Sequence, residues 1–117
     1  MSGTLICYSK CSTCNKAKKW LMEQGIDFEE RDIKTERPSK EELEEWVKKS
    51  GLPIKKFFNT SGMLYKSMSL KDKLPMMSEE EQIDLLSTDG MLVKRPLWIS
   101  DQLILVGFKA DQWESLK

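Results

Sequence analysis

The stretch that decides the fold runs from Thr4 to Leu21 and reads TLICYSKCSTCNKAKKWL. Thr4–Tyr8 is short, apolar and bounded by a polar turn, which is typical of a buried strand. From Ser12 to Gln24 the period changes, because apolar residues share one helical face and lysines cover the other; Gly25 follows as a stop signal. The pattern predicts a strand, a loop that carries cysteines, and a helix.

The next segments predict a second strand and then a helical region. Ile26–Ile33 alternates apolar and charged residues, and after a helical crossover this strand should lie parallel to the first. Residues 37–88 are predicted to be mainly helical, because capping boxes at Ser39–Glu42 and Ser78–Glu81 each open a helix. The first of these helices should end at Ser50-Gly51.

The end of the chain predicts a hairpin and a last helix. Leu97–Ser100 and Leu103–Val106 are apolar runs at hairpin spacing, and an amphipathic helix begins near Lys109. The order βαβ, helices, ββα indicates an α/β protein with a thioredoxin-like fold and a helical insertion at about 37–88. We expect one domain over residues 1–117.

The composition of the chain makes several classes of function unexpected. The chain has 117 residues, of which 39% are hydrophobic and 32% charged, as in soluble globular proteins. Lysine plus arginine balance aspartate plus glutamate at 19 each, so we expect no direct nucleic-acid binding. Neither a signal peptide nor an apolar stretch of about 20 residues is present, so we expect a cytoplasmic protein without membrane contact. In that reducing compartment, clustered cysteines are more often catalytic, redox-sensing or metal-binding than structural.

The three cysteines, Cys7, Cys11 and Cys14, have a spacing that also occurs at iron–sulfur sites. Cys7, however, lies in the predicted strand among apolar neighbours and looks like a small core residue. A four-ligand zinc site would need a further cysteine or a histidine, and the chain contains no histidine. We therefore expect no metal site.

Cys11 and Cys14 form a C-x-x-C motif between a strand and a helix N-terminus, where backbone N–H groups and the helix dipole stabilise a thiolate. We expect Cys11, at the exposed end and beside Lys10, to be the nucleophile with a lowered pKa. Cys14, one helical turn further, should be more buried and could attack an adduct on Cys11 to release it. Without histidine, no Cys–His pair can operate.

Lys94-Arg95-Pro96 is the second motif that bears on the site. A proline just before a strand can adopt the cis form, and in a thioredoxin-like fold this turn lies against the cysteine motif. We expect a cis bond at Pro96 and assign Arg95 as a bidentate donor to an anion beside Cys11. Lys10 and Ser12 complete the predicted anion-binding group.

These residues resemble the glutaredoxin-like arsenate reductase family, which also contains the Spx-type transcription regulators. The resemblance spans essentially the whole chain and includes the closing Val106-Gly-Phe-Lys109. It implies that Cys11 attacks an oxyanion such as arsenate and that Arg95 helps to hold it. It also implies no cofactor other than an external thiol, such as glutaredoxin, thioredoxin or a low-molecular-weight thiol, as electron donor.

Several positions depart from the arsenate reductases. Two further arginines of those enzymes correspond to Asn59 and Gly107, and the enzymes generally lack a cysteine at Cys14, whereas Spx-type proteins carry C-x-x-C as a disulfide switch. Gly51 matches a glycine that the regulators use to bind the RNA polymerase α subunit, although a helix C′ role explains it equally well. Because the sequence ends at Lys117, directly after the last predicted helix, we expect it to lack the longer tail of the regulators.

The first interpretation is therefore a thiol-dependent oxidoreductase in which Cys11, Cys14 and Arg95 are catalytic and Cys11 and Cys14 form a redox disulfide. It would act as a monomer on an oxyanion or a disulfide. The alternative is an Spx-type redox sensor that binds the RNA polymerase α subunit. A third is a binding module without redox activity, since fold does not fix function.

Overall fold

The structure, a computed structural model, describes residues 3–117. The chain divides into two compact units: one contains the described residues up to Asp32 together with Arg95–Lys117, and the other is Ile33–Lys94. The first unit holds the sheet and all three cysteines, and the second is helical. Within residues 3–117, no helix combines the length and apolar character needed to cross a membrane.

The first unit is a four-stranded sheet with helices. Helix α1 (Ser12–Glu23) connects the first two strands, and α6 (Ala110–Trp113) runs into a 3₁₀ turn at Glu114–Leu116. The sheet order is β2-β1-β3-β4, with β1 parallel to β2 and antiparallel to β3, and β4 antiparallel to β3. The strands are β1 (Gly3–Cys7), β2 (Phe28–Asp32), β3 (Leu97–Ile99) and β4 (Ile104–Val106). The predicted βαβ unit and C-terminal hairpin are confirmed.

Two strand limits differ from the prediction for local reasons. The second strand begins at Phe28 and not at Ile26, because the Ile26 N–H donates to the Leu21 carbonyl at 3.1 Å and completes the end of α1. The first strand ends at Cys7. Tyr8 leaves the ladder, and its backbone groups bond to the two cysteines that follow it.

The core of the first unit joins one face of the sheet to α1 and the C-terminal helical turns. Trp98 and Trp113 are both fully buried, with ring centroids 6.1 Å apart. The buried cluster consists of Leu5, Cys7, Cys14, Ala17, Leu21, Trp98, Leu105, Trp113 and Leu116. Cys7 and Cys14 thus lie in the core, on facing elements.

The second unit confirms the predicted helical segment. Its helices are α2 (Lys40–Ser50), α3 (Met63–Ser67), α4 (Leu70–Lys73) and α5 (Glu79–Leu86), with 3₁₀ turns at Ile54–Phe57, Leu74–Met76 and Gly90–Leu92. Both capping boxes form; in the first, Ser39 Oγ accepts from the Glu42 N–H at 3.1 Å. Gly51 ends α2 in the left-handed region at φ 71°, as expected of a C′ glycine.

Candidate functional site

Cys11 lies where the loop after β1 becomes helix α1. It is the N-cap residue, with extended backbone angles, and its thiol is half-buried. Its N–H donates to the Tyr8 carbonyl at 3.0 Å, and its carbonyl accepts from the Asn15 N–H at 3.1 Å. The sulfur is therefore anchored beside a helix N-terminus, where backbone N–H groups and the dipole favour an anion.

Cys14 lies in the first turn of α1 and is 1% exposed. Its Sγ accepts a hydrogen bond from the backbone N–H of Tyr8 at 3.4 Å. The Cys7 thiol, which is 6% exposed at the end of β1, donates to the Cys14 carbonyl at 3.9 Å. The order of burial is the predicted one, with Cys14 deeper than Cys11.

The two buried thiols have opposite pKa shifts. When Cys14 is ionised, the Cys7 thiol can turn its proton from the Cys14 carbonyl to Cys14 Sγ, and this hydrogen bond lowers the pKa of Cys14 to about 6. The Tyr8 N–H, the Cys11 thiol and the Arg95 charge lower it further, while burial opposes the change. The pKa of Cys7 is raised, because its thiol is a hydrogen-bond donor to Cys14 and is buried. Ionisation of the pair is therefore favoured at Cys14 over Cys7.

Arg95 supplies the positive charge of the site. It is half-buried and precedes Pro96 through a cis peptide bond, the isomer expected there. Its guanidinium carbon lies 5.2 Å from the centroid of the Tyr8 ring. Arg95 Nε and Nη1 are buried and have no hydrogen-bond partner within the described chain. The structure thus brings Arg95, Tyr8 and the Cys14 thiol together.

Lys10 and Ser12, the other predicted anion-binding residues, are both exposed to solvent. Ser12 is the first residue of α1, and Lys10 lies in the preceding loop. Within residues 3–117, neither side chain hydrogen-bonds to a cysteine. Their assignment to anion binding stays a prediction.

Sequence reasoning missed two contributions to this site. The sequence pattern predicts only a core role for Cys7 and the end of a strand at Tyr8. The sequence does contain a pattern that indicates the role of Cys7. Cys7 shares a strand face with Leu5, and Cys14 shares a helix face with Ala17. Because both faces are buried against each other, the two cysteines come close together. The role of Tyr8 depends on where pairing in β1 stops, which the sequence pattern does not mark.

Asn59 and Gly107, the two residues that the family resemblance predicts at arginine positions of arsenate reductases, have structural roles of their own. Gly107 has φ 73°, its N–H donates to the Pro96 carbonyl at 2.9 Å, and its carbonyl accepts from Trp113 Nε1 at 3.0 Å. This left-handed conformation favours glycine over any residue with a Cβ. In the second unit, the Asn59 N–H donates to the Leu92 carbonyl at 2.7 Å, and Asn59 Oδ1 accepts from Ser61 Oγ at 3.3 Å.

The described residues contain no group of three or more His, Cys, Asp or Glu side chains placed to hold a metal ion. All three cysteines are reduced. The site therefore offers a half-buried thiol at a helix N-terminus, a buried thiol with a lowered pKa one turn further, and a guanidinium with buried donors. This set can perform nucleophilic thiol chemistry and can attract an anion.

Known proteins match the chain over nearly its whole length. The YusI protein of Bacillus subtilis, which is uncharacterised, is 56% identical over 97% of each chain. A Streptococcus mutans structure described as a possible arsenate reductase is 41% identical, covers 96% of this chain and 97% of its own, and has a TM-score of 0.87. The global transcriptional regulator Spx of Enterococcus faecalis is 28% identical over 93% of this chain and 81% of its own.

These matches agree with the architecture. The four-stranded sheet with its helices has the thioredoxin-like α/β fold that was predicted from the sequence. The model of the ArsC family matches residues 7–116, which include all three cysteines and the Arg95-Pro96 turn. The chain therefore belongs to the ArsC family.

Proposed function

We propose that this protein is a thiol-dependent oxidoreductase in which Cys11 is the nucleophile and Cys14 the resolving thiol. The observation that carries the proposal is the pairing of a half-buried thiol at the N-cap of α1 with a buried thiol, one turn further, whose pKa is lowered to about 6. The backbone of Tyr8 contacts both residues: its N–H donates to Cys14 Sγ, and its carbonyl accepts from the backbone N–H of Cys11.

Access decides which of the two thiols attacks first. Thiol–disulfide exchange depends on the thiolate fraction of the attacking sulfur and on whether the substrate can reach it. Cys14 is 1% exposed, so an external disulfide or oxyanion cannot reach its sulfur, whereas Cys11 is half-buried at the surface end of the motif. Cys11 therefore makes the first attack, and the Cys14 thiolate acts in the second step.

Together, the two steps transfer two electrons to the substrate and oxidise the pair of cysteines. Cys11 releases its proton to solvent, and its sulfur attacks a substrate disulfide, forms a mixed disulfide and releases one substrate thiolate. The Cys14 thiolate then attacks Cys11 Sγ, forms the Cys11–Cys14 disulfide and releases the second substrate thiolate. An external dithiol restores the reduced pair, so the cycle requires a reducing compartment such as the cytoplasm.

Arg95 stabilises negative charge in both steps. Its charge already lowers the pKa of Cys14, and its buried Nε and Nη1 are donors for an anionic group near Cys11. Efficient arsenate reduction is not part of the proposal, because the family resemblance predicts Asn59 and Gly107 at the positions of two oxyanion-binding arginines. A single arginine suits disulfides or singly charged anions better than a doubly charged oxyanion.

A second candidate function is supported by the similarity to Spx. The regulator aligns over 93% of this chain, including the C-x-x-C motif region. In this alternative, the same disulfide would change a surface that binds the RNA polymerase α subunit, and no substrate would be turned over. Gly51 does not favour this function specifically, because its φ of 71° at the end of α2 explains a glycine there.

One set of assays separates the two functions. Reduction of a model disulfide and of arsenate is measured with the purified protein and a thiol donor, and binding to the purified polymerase α subunit is measured for its reduced and oxidised forms. We expect disulfide turnover that is lost in Cys11→Ser and little arsenate turnover. Redox-dependent α-subunit binding without turnover of either substrate would establish the regulator instead.

A further inference from the structure

We infer that Tyr8 is a positioning residue: its aromatic ring holds the Arg95 guanidinium beside Cys14 without using any of the N–H donors of the arginine. This role rests on the proposed function, because it assigns Tyr8 to the site that contains Cys11 and Cys14. It concerns the charge at Cys14, which can be measured without turnover, so it can fail independently of that function.

Within the first unit, the Tyr8 ring is the one interaction partner that the structure gives the Arg95 guanidinium. The guanidinium carbon lies 5.2 Å from the ring centroid, within the range of a cation–π contact. Arg95 Nε and Nη1 are buried and make no hydrogen bond within residues 3–117. An arginine without any partner would adopt several rotamers, because its long side chain loses much conformational entropy when it is fixed.

An aromatic partner has a chemical advantage over a carboxylate here. A carboxylate would accept two N–H bonds from the guanidinium and neutralise its charge, leaving little to act on a thiolate or a substrate anion. The face of an aromatic ring attracts the cation and accepts none of its in-plane N–H groups. Tyr8 can therefore fix the position of Arg95 while Nε and Nη1 keep their donor capacity.

Tyr8 connects the other two parts of the site through its backbone. Its N–H donates to Cys14 Sγ at 3.4 Å, and its carbonyl accepts from the Cys11 N–H at 3.0 Å. These bonds do not depend on the side chain, so a substitution at Tyr8 removes the ring and leaves them available. Because Tyr8 follows the last residue of β1 and is half-buried, replacing its side chain does not remove a core residue.

The test is a double-mutant cycle in a Cys11→Ser background, with the ultraviolet absorbance of the thiolate followed against pH. Cys14 is then the titrating thiol, since the pKa of Cys7 is raised. We expect Tyr8→Leu to raise the pKa of Cys14 by roughly half a unit and Tyr8→Phe to leave it unchanged, because phenylalanine keeps the ring. Tyr8→Trp should also keep the parent value. If Tyr8→Leu fails to fold, Tyr8→Met serves as the ring-free variant.

The Arg95→Met variant is the control that tests whether Tyr8 acts on Cys14 through Arg95. With the cation absent, Tyr8→Leu should cause no further rise in the pKa of Cys14. The inference is overturned if Tyr8→Leu leaves the pKa unchanged, if Tyr8→Phe shifts it equally, or if the Tyr8→Leu shift persists in the Arg95→Met background. Disulfide turnover by the unmodified protein is measured separately, so its absence would count against the proposed function and not against this role of Tyr8.

Discussion

The backbone N–H of Tyr8 donates to Cys14 Sγ at 3.4 Å, and this bond ties the end of β1 to the first turn of α1. The buried Cys14 sulfur therefore accepts a hydrogen bond from the first residue after β1, where pairing in the sheet stops. Because hydrogen bonds to the charged form favour it, the Cys7 thiol and this contact together lower the pKa of Cys14 despite its burial. The central claim is that Cys14 resolves adducts formed on Cys11.

Native-state alkylation should distinguish the cysteines by access. Cys11 is half-buried, whereas Cys14 and Cys7 are 1% and 6% exposed. We expect iodoacetamide at neutral pH to modify Cys11 roughly tenfold faster than either of the others, since a buried sulfur reacts only after local opening. Peptide mass spectrometry after timed quenching measures the three rates, and an unfolded sample provides the reference. Equal rates in the native protein would remove Cys11 as the first nucleophile.

Mild oxidation should form a disulfide between Cys11 and Cys14. The two residues lie one turn apart at the start of α1, and an N-cap position gives Cys11 the freedom to approach Cys14. Oxidised samples are digested without reduction, and the linked peptides are identified by mass. Cys14→Ser should abolish the disulfide, and Cys7→Ser is the matched control that should retain it. A Cys7–Cys14 linkage as the main product would contradict the assignment.

Cys7 should act on Cys14 through its thiol proton. We expect Cys7→Val to raise the pKa of Cys14 by roughly one unit, because valine fills the space but removes a donor whose net value is about 1 kcal/mol. Cys7→Ser keeps a donor and should shift the pKa less. Thiolate absorbance against pH in the Cys11→Ser background gives these values. An unchanged pKa in Cys7→Val would show that the Cys7 thiol has no influence on Cys14.

Stability should depend on pH through Cys14. Its folded pKa of about 6 lies below the ordinary thiol value of 9.0, so between these values the unfolded chain binds more protons and the free energy of unfolding rises with pH. This contribution is complete above about pH 9 and is lost as the pH falls through about 6. Denaturant unfolding under reducing conditions should therefore show a wild-type advantage over Cys14→Ser that grows with pH. A difference that is constant across this range would refute the prediction.

The sequence predicted most of the fold because its local signals agree with the tertiary structure. The capping boxes at Ser39 and Ser78 open helices where predicted, and the helical crossover between the first two strands makes them parallel neighbours, as predicted. The two short helices Met63–Ser67 and Leu70–Lys73 were not predicted individually, because Ser69, at φ 54°, interrupts the helical period between them. Nothing in the sequence pattern predicts a left-handed backbone conformation at Ser69.

The site was predictable where it depends on chain position and not where it depends on contacts across elements. Cys11 and Cys14 follow from the strand-to-helix boundary, and the order of their burial follows from helix periodicity. The lowered pKa of Cys14 depends on Cys7, Tyr8 and Arg95, which reach it from β1, the following loop and the turn before β3. Such contacts depend on the packing of separate elements, so a linear pattern does not reveal them.

The most direct test of the central claim is the trapping of the intermediate on Cys11. Wild-type protein and Cys14→Ser are each mixed with a small disulfide, quenched with acid and analysed by intact mass and peptide mapping. The account predicts that Cys14→Ser accumulates a stable mixed disulfide on Cys11, while the wild type passes to the Cys11–Cys14 disulfide and releases both substrate thiols. A wild-type adduct on Cys11 that persists as long as the variant's, or an adduct found first on Cys14, would contradict it.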